Sequence, residues 1–115
     1  MIRGEVFIAN LMPRSGSEQT GRRPVVIISN DGFNLTPNWR SIIVVPLSTS
    51  SSQALRTQTV VHIPGGEGGL SRDGSALCHQ VTTLDRGKLK QRLGKLSDAK
   101  LLEIERGLKA AMDLI

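Results

Sequence analysis

Two apolar patterns of different period organise the chain. The first is the continuous β-branched run Val25-Val26-Ile27-Ile28, which has no helical period and predicts a strand, Val25 to Ser29, buried on both faces. The run Ile42-Ile43-Val44-Val45-Pro46-Leu47 repeats that signal. Glu5 to Leu11 reads as a first strand, ended by Pro13, and Thr57 to Ile63 alternates as a half-exposed strand with His62 on its polar face. Ser75 to Val81 reads as a further strand with a polar end, and Arg92 to Leu96 as a short one. The second pattern closes the chain. Leu101, Ile104, Leu108, Met112 and Ile115 recur at spacings of three and four, the stripe of an amphipathic helix with Lys100, Glu103, Arg106 and Lys109 on its polar face. Ser97 is its expected N-cap, and Asp98 places a negative charge in the first turn. Five or six strands and one final helix predict a single mostly β (α+β) domain over residues 1–115.

The breaks between these runs are polar and glycine-rich. Gly16 to Arg23 holds two glycines among polar residues and reads as an exposed loop. Pro24 suits the first position of the strand that follows, and it forces Arg23 toward an extended backbone. Asn30-Asp31-Gly32 signals a turn, and Asn34 to Arg40 a long loop in which Trp39 is expected to plug the core. Thr82 to Asp85 is expected to lead out of the preceding strand, with Asp85 capping a short helical turn. Pro64 to Gly74 reads as a flexible connection. It lacks the GxxxxGK[ST] phosphate cradle and no helix opens after it, so only Arg72 offers a minor nucleic-acid contact.

Charge and composition narrow the partners. The chain of 115 residues carries a formal net charge of +5, which favours an anionic partner. No apolar run is long enough to span a bilayer, and the first residues lack a signal-peptide core, so the expectation is a cytoplasmic protein with no membrane association. Cys78 is the only cysteine and His62 and His79 the only histidines, so neither an internal disulfide nor a dedicated metal site is expected, and no cofactor motif is present. Phe7, Phe33 and Trp39 are too few for a base-stacking platform, which leaves Arg, Lys and polar side chains to recognise any nucleic acid.

Three polar clusters adjoin the apolar strands: Glu18 and Gln19 with Arg23, Ser48 with Thr49, and His79 with Gln80. Taken singly they read as a basic loop, a hydroxyl-rich strand end and a structural histidine. Converging, they would supply a fixed cation, hydroxyls, a carboxylate and an imidazole, the set that phosphoryl transfer without a metal requires. No nucleophile-elbow pattern surrounds Ser48.

The segments RGEVFIANL at Arg3 to Leu11, GSEQTGRRPVVIISND at Gly16 to Asp31, IIVVPLSTS at Ile42 to Ser50, HQVTTLD at His79 to Asp85 and RLGKLSDAKLLEIERGL at Arg92 to Leu108 resemble, in order, those of the bacterial toxins known as MazF, PemK or Kid. The resemblance implies an SH3-like β barrel with a C-terminal α-helix, usually a homodimer, acting as a metal-independent endoribonuclease on single-stranded RNA. The expected chemistry is attack of a 2′-hydroxyl on the adjacent phosphate, giving a 2′,3′-cyclic phosphate and a 5′-hydroxyl. Arg23, Ser48 and Glu18 match the catalytic positions, and Gln19, Thr49, His79 and Gln80 are the expected RNA contacts. Leu77-Cys78-His79 departs from members with a catalytic arginine and acidic residue there, which leaves the base open between Glu18 and His79. The same fold also hosts toxins that bind DNA gyrase, and a non-catalytic RNA-binding barrel is a further alternative. The expected protein partner is a small acidic antitoxin.

Overall fold

Both faces of the run at 25–28 are buried because the strand lies between two separate apolar clusters. In the computed structural model, which describes residues 1–12, 16, 20–49 and 58–114, Val26 packs in a cluster with Val6, Val45, Leu47, Ile63 and Ile104. Its neighbours Val25 and Ile27 pack in a second one with Ala9, Ile42, Val44 and Leu84. A period of two over a strand with apolar surroundings on each side therefore yields an unbroken apolar sequence.

Among the described residues, seven strands form the sheet: β1 (Glu5–Asn10), β2 (Arg22–Ile27), β3 (Ser41–Ser48), β4 (Val60–Ile63), β5 (Gly74–Leu77), β6 (Thr82–Asp85) and β7 (Leu89–Lys95). Their order is β4-β5-β3-β2-β1-β7, and β6 also pairs with β3. β3 is central. Val44 to Pro46 pair with β2, Ser41 to Val44 with β6, and Leu47 and Ser48 with β5. The sharing of β3 between β5 and β6 bends the sheet toward closure. The described residues also form the short helix α1 (Asp31–Asn34), the long helix α2 (Asp98–Met112) and three short 3₁₀ turns between strands.

The mostly β architecture and the C-terminal helix agree with the sequence. Ser97 Oγ accepts from the Lys100 amide, as its N-cap role requires. Ile104 and Leu108 are buried, while Met112 at the end of the expected stripe is exposed, and Ile115 lies outside the described residues. The stripe is completed by Gly107, whose missing side chain admits Cys78 and Val61.

Several expectations are corrected. β2 begins at Arg22, so Pro24 is its third residue. Pairing with β3 stops at Val25, so Pro24 sits where that side of the strand is an edge and no ladder bond is lost. Thr82 to Asp85 is a strand, because it occupies β3's edge beside Ser41 to Val44. Asp85 does cap the turn after it, accepting from the Gly87 amide. Ser75 to Val81 is divided, since the chain leaves β5 at Leu77 and coils through a 3₁₀ turn at Cys78–Gln80. Trp39 does not plug the core. It is 42% exposed and stacks on Phe33, with ring centroids 4.6 Å apart.

The Pro64 to Gly74 segment is not a loose connection. Gly68 is buried, and a Cβ there would lie 2.8 Å from side-chain atoms of both Val6 and Leu96. A Cβ on Gly69 would collide with the Leu93 carbonyl. These glycines are present because the loop lies flat against β1 and β7, and both have positive φ.

A guanidinium-lined cleft as candidate active site

β2 projects past its last pair with β3, and this overhang builds one wall of a cleft of about 460 Å³. The β2–β3 register pairs Val25 with Pro46; carried two residues further, it sets Arg23 opposite Ser48. Arg22 and Arg23 both line the cleft, and Thr49 lines it from the end of β3. The glycine-rich loop supplies the facing wall through Ser71 and Arg72, and β7 contributes Gln91. Ile8, Pro24, Leu47, Leu70 and Leu93 give it an apolar floor.

Each polar group is positioned by its element. Arg23 is held in extended backbone by pairing with Ala9 on β1, and its Nε donates to the Thr20 carbonyl at 3.0 Å. Arg72 Nη2 reaches the Thr49 hydroxyl at 3.4 Å. Ser48 is buried beneath the surface, and pairs with Ser75 of β5. Among the described residues, the cleft is lined by three arginines and by no carboxylate. Such a concave basic surface with hydroxyl and amide groups attracts anions. Its planar guanidiniums suit phosphate oxygens, which they engage in pairs of hydrogen bonds.

Arg23 and Thr49 line the cleft, and Ser48 is buried beneath it. Glu18 and Gln19 lie outside the described residues. His79 and Gln80 do not line the cleft. They sit on the 3₁₀ turn after β5, where His79 Nδ1 is 3.2 Å from Thr59 Oγ1. Cys78 of that turn packs against α2, its thiol facing the Ile104 carbonyl. Sequence reasoning puts little weight on Arg72 and none on Arg22 or Gln91. Arg72 carried a signal only in being a cation at the end of a glycine-rich loop. Gln91 carried none, because its role depends on β7 pairing with β1.

A second groove, of about 400 Å³, runs between β4 and α2, with His62, Glu103 and Arg106 at its edges. Its charges are mixed, and among the described residues no serine or threonine lines it.

Residues 2–112 match the family model described as "PemK-like, MazF-like toxin of type II toxin-antitoxin system". The chain is 37% identical over 114 residues to a protein named Endoribonuclease MazF from Staphylococcus saprophyticus, covering 99% of this chain and 92% of that one. A protein of the same name from Staphylococcus epidermidis is also 37% identical, over 112 residues, covering 97% of this chain and 91% of that one. The barrel-like fold is shared with MazF from Deinococcus radiodurans, with a TM-score of 0.81 at 22% identity, covering 99% and 97% of the two chains. A mycobacterial endoribonuclease solved with its cognate antitoxin superposes with a TM-score of 0.80 at 23% identity, covering 100% and 97%. The chain belongs to the PemK-like, MazF-like toxin family of type II toxin–antitoxin systems.

Proposed function

We propose that this chain is an endoribonuclease toxin that cuts single-stranded RNA without a metal ion. The observation that supports this most directly is the cleft itself: Arg23 at the overhang of β2, Thr49 at the end of β3 above the buried Ser48, and no carboxylate among the described lining residues. The relatives named as endoribonucleases match nearly the full length of the chain.

The reaction needs no cofactor atoms. A 2′-oxygen bonds to the adjacent phosphorus, the bond from phosphorus to the 5′-oxygen breaks, and the products are a 2′,3′-cyclic phosphate and a 5′-hydroxyl. One proton leaves the 2′-hydroxyl and another reaches the departing 5′-oxygen. Negative charge accumulates on the phosphorus oxygens midway, and a fixed guanidinium stabilises that charge more than it stabilises the substrate. Arg23 takes this role, because its planar guanidinium offers donors in a fixed fork that matches phosphate oxygens. The hydroxyl of Thr49, which lines the cleft, donates to the same oxygens, and Ser48, the matched catalytic hydroxyl, would have to reach them from beneath the surface. Glu18, with Gln19, lies on the loop preceding β2 and is the first candidate to accept the 2′ proton. His79 is the second, and would have to act from the turn beyond β5. Gln19 and Thr49 are the first candidates to read the bases flanking the cut, and His79 and Gln80 would have to contact RNA beyond the cleft, from the turn after β5.

The working form is a homodimer in the cytoplasm, inhibited by a small acidic antitoxin whose carboxylates occupy the arginine-lined cleft. The reading is tested by incubating a long single-stranded RNA with the protein in excess EDTA, beside Arg23→Ala. Discrete fragments with 5′-hydroxyl ends from the wild type and none from the variant are expected. Equal cutting by both would remove Arg23 from the site. No cutting by either would overturn the nuclease, and gyrase supercoiling would then be assayed for the non-enzymatic toxin class.

A further inference from the structure

The cleft has two basic walls that come from distant parts of the sequence. Arg22 and Arg23 stand on β2, and Arg72 stands across from them on the glycine-rich loop. One phosphate at the point of cleavage accounts for Arg23. It does not account for a guanidinium on the opposite wall.

The mount of Arg72 is rigid. The loop is closed at its base by the Gly65 amide donating to Asp73 Oδ1 at 2.8 Å, and a Cβ on Gly65 would lie 3.0 Å from the Arg72 Cα. Inside the loop, the Gly66 amide donates to the Leu70 carbonyl and the Leu70 amide to the Glu67 carbonyl. Gly68 and Gly69 seat the loop on β1 and β7, and Glu67 ties it to the start of α2. The carboxylate next to Arg72 in sequence, that of Asp73, is engaged by the Gly65 amide and faces His62 at 3.9 Å. Arg72 is therefore a cation on a fixed support, and its Nη2 contacts a hydroxyl of the opposite strand end at 3.4 Å. Fixing a binding group before the ligand arrives reduces the ordering entropy lost on association.

We infer that Arg72 is a second phosphate-binding residue: it grips a phosphate next to the one Arg23 addresses, so the RNA backbone crosses the cleft between the two walls. It also holds the Thr49 hydroxyl toward the strand. This inference rests on the proposed nuclease reading, and it adds a binding residue on a segment outside the matched catalytic positions.

The test is equilibrium binding of a fluorescent, randomised 15-nucleotide 2′-O-methyl RNA, which lacks the attacking hydroxyl, over a range of salt concentrations. Each phosphate neutralised on a single strand contributes about 0.7 to the slope of log affinity against log salt. Arg72→Ala is expected to lower the slope by about 0.7 and to weaken binding roughly five- to tenfold at moderate salt, with Arg72→Lys restoring the slope. Arg106→Ala, on α2 away from the cleft, has the same net charge as Arg72→Ala and is expected to keep the wild-type slope. A wild-type slope in Arg72→Ala, with binding and Arg23-dependent cleavage intact, would overturn the inference and leave the nuclease reading standing. Failure of the wild type to bind or cut RNA would overturn both. A slope lowered equally by Arg106→Ala would overturn it as well, because the effect would then be one of net charge.

Discussion

Glu67 Oε1 accepts the backbone N–H of Ser97 at 2.6 Å, across thirty positions of sequence. Ser97 caps α2 with its own hydroxyl, and a helix start of this kind is often completed by a glutamate at the third helical position reaching back to the cap's amide. Here that position is Lys100, and Glu67 supplies the carboxylate from the glycine-rich loop instead. The bonds from Ser97 hold the Glu67 carboxyl below its ordinary value of 4.5. A lowered folded-state pKa gives stability that is present above 4.5 and is lost as the pH falls below it. Glu67→Ala is expected to lower unfolding stability by about 1–2 kcal/mol at pH 7 in urea titrations. The gap from wild type should narrow as the pH falls below 4.5. A gap independent of pH would show that the carboxylate charge is not what holds the loop.

Gly107 faces Cys78, and a Cβ at this position would lie 2.7 Å from the thiol sulfur and 3.3 Å from Val61 Cγ2. Replacing a mid-helix glycine by alanine at an open site would gain about 1 kcal/mol. At this contact, overpacking reverses the sign, and Gly107→Ala is expected to lose about 1–3 kcal/mol. The double variant Gly107→Ala/Cys78→Ala should recover most of that loss relative to Cys78→Ala alone, a coupling that a double-mutant cycle on urea midpoints measures directly. Additive effects would mean that the helix shifts to accept the methyl group.

These two contacts mark where the sequence stopped being legible. Val25 to Ile28 and Ile42 to Leu47 announced the central strands because burial on both faces leaves a run that no other element produces. Ser97 announced the helix start because a cap is local. Arg23 and Ser48 were placed together only through resemblance, and the register between β2 and β3 supplies the physical reason for it. Glu67, Arg72 and Gln91 were not legible as site-building residues, since each acts through a segment far from it in the chain. Gly68 and Gly69 read as flexibility, and they are packing. His79 read as the end of a strand because the 3₁₀ turn that removes it has no composition signal of its own.

Arg86 has a purely architectural counterpart of the cleft arginines. Its Nε donates to the Trp39 carbonyl at 2.9 Å, and its Nη2 lies 3.1–3.2 Å from the carbonyl oxygens of Phe33, Asn34 and Thr36. One guanidinium thus gathers the carbonyls released at the end of α1 and shapes the loop that carries the Phe33–Trp39 stack. Lysine cannot reproduce that fan of donors. Arg86→Lys is expected to lose about 2 kcal/mol of stability, in the range of charged hydrogen bonds. Trp39 is the only tryptophan, so acrylamide quenching of its fluorescence should rise in the variant. Unchanged quenching would mean that the stack orders the loop by itself.

Cys78 should be silent toward thiol reagents for as long as the protein is folded. It is fully buried between α2 and the sheet, and burial pushes its thiol up to about 11. At pH 8 the thiolate fraction is then about a hundredfold below that of a free cysteine, and access is blocked as well. Modification by iodoacetamide is expected to proceed at the rate of opening of the turn at Cys78–Gln80 from α2. Gly107→Ala, which strains that contact, should accelerate it at least tenfold under native conditions. Fast labelling of the wild type would show that the turn lifts readily from the helix. Such opening would give His79 the freedom to approach the cleft and would favour it over Glu18 as the proposed base.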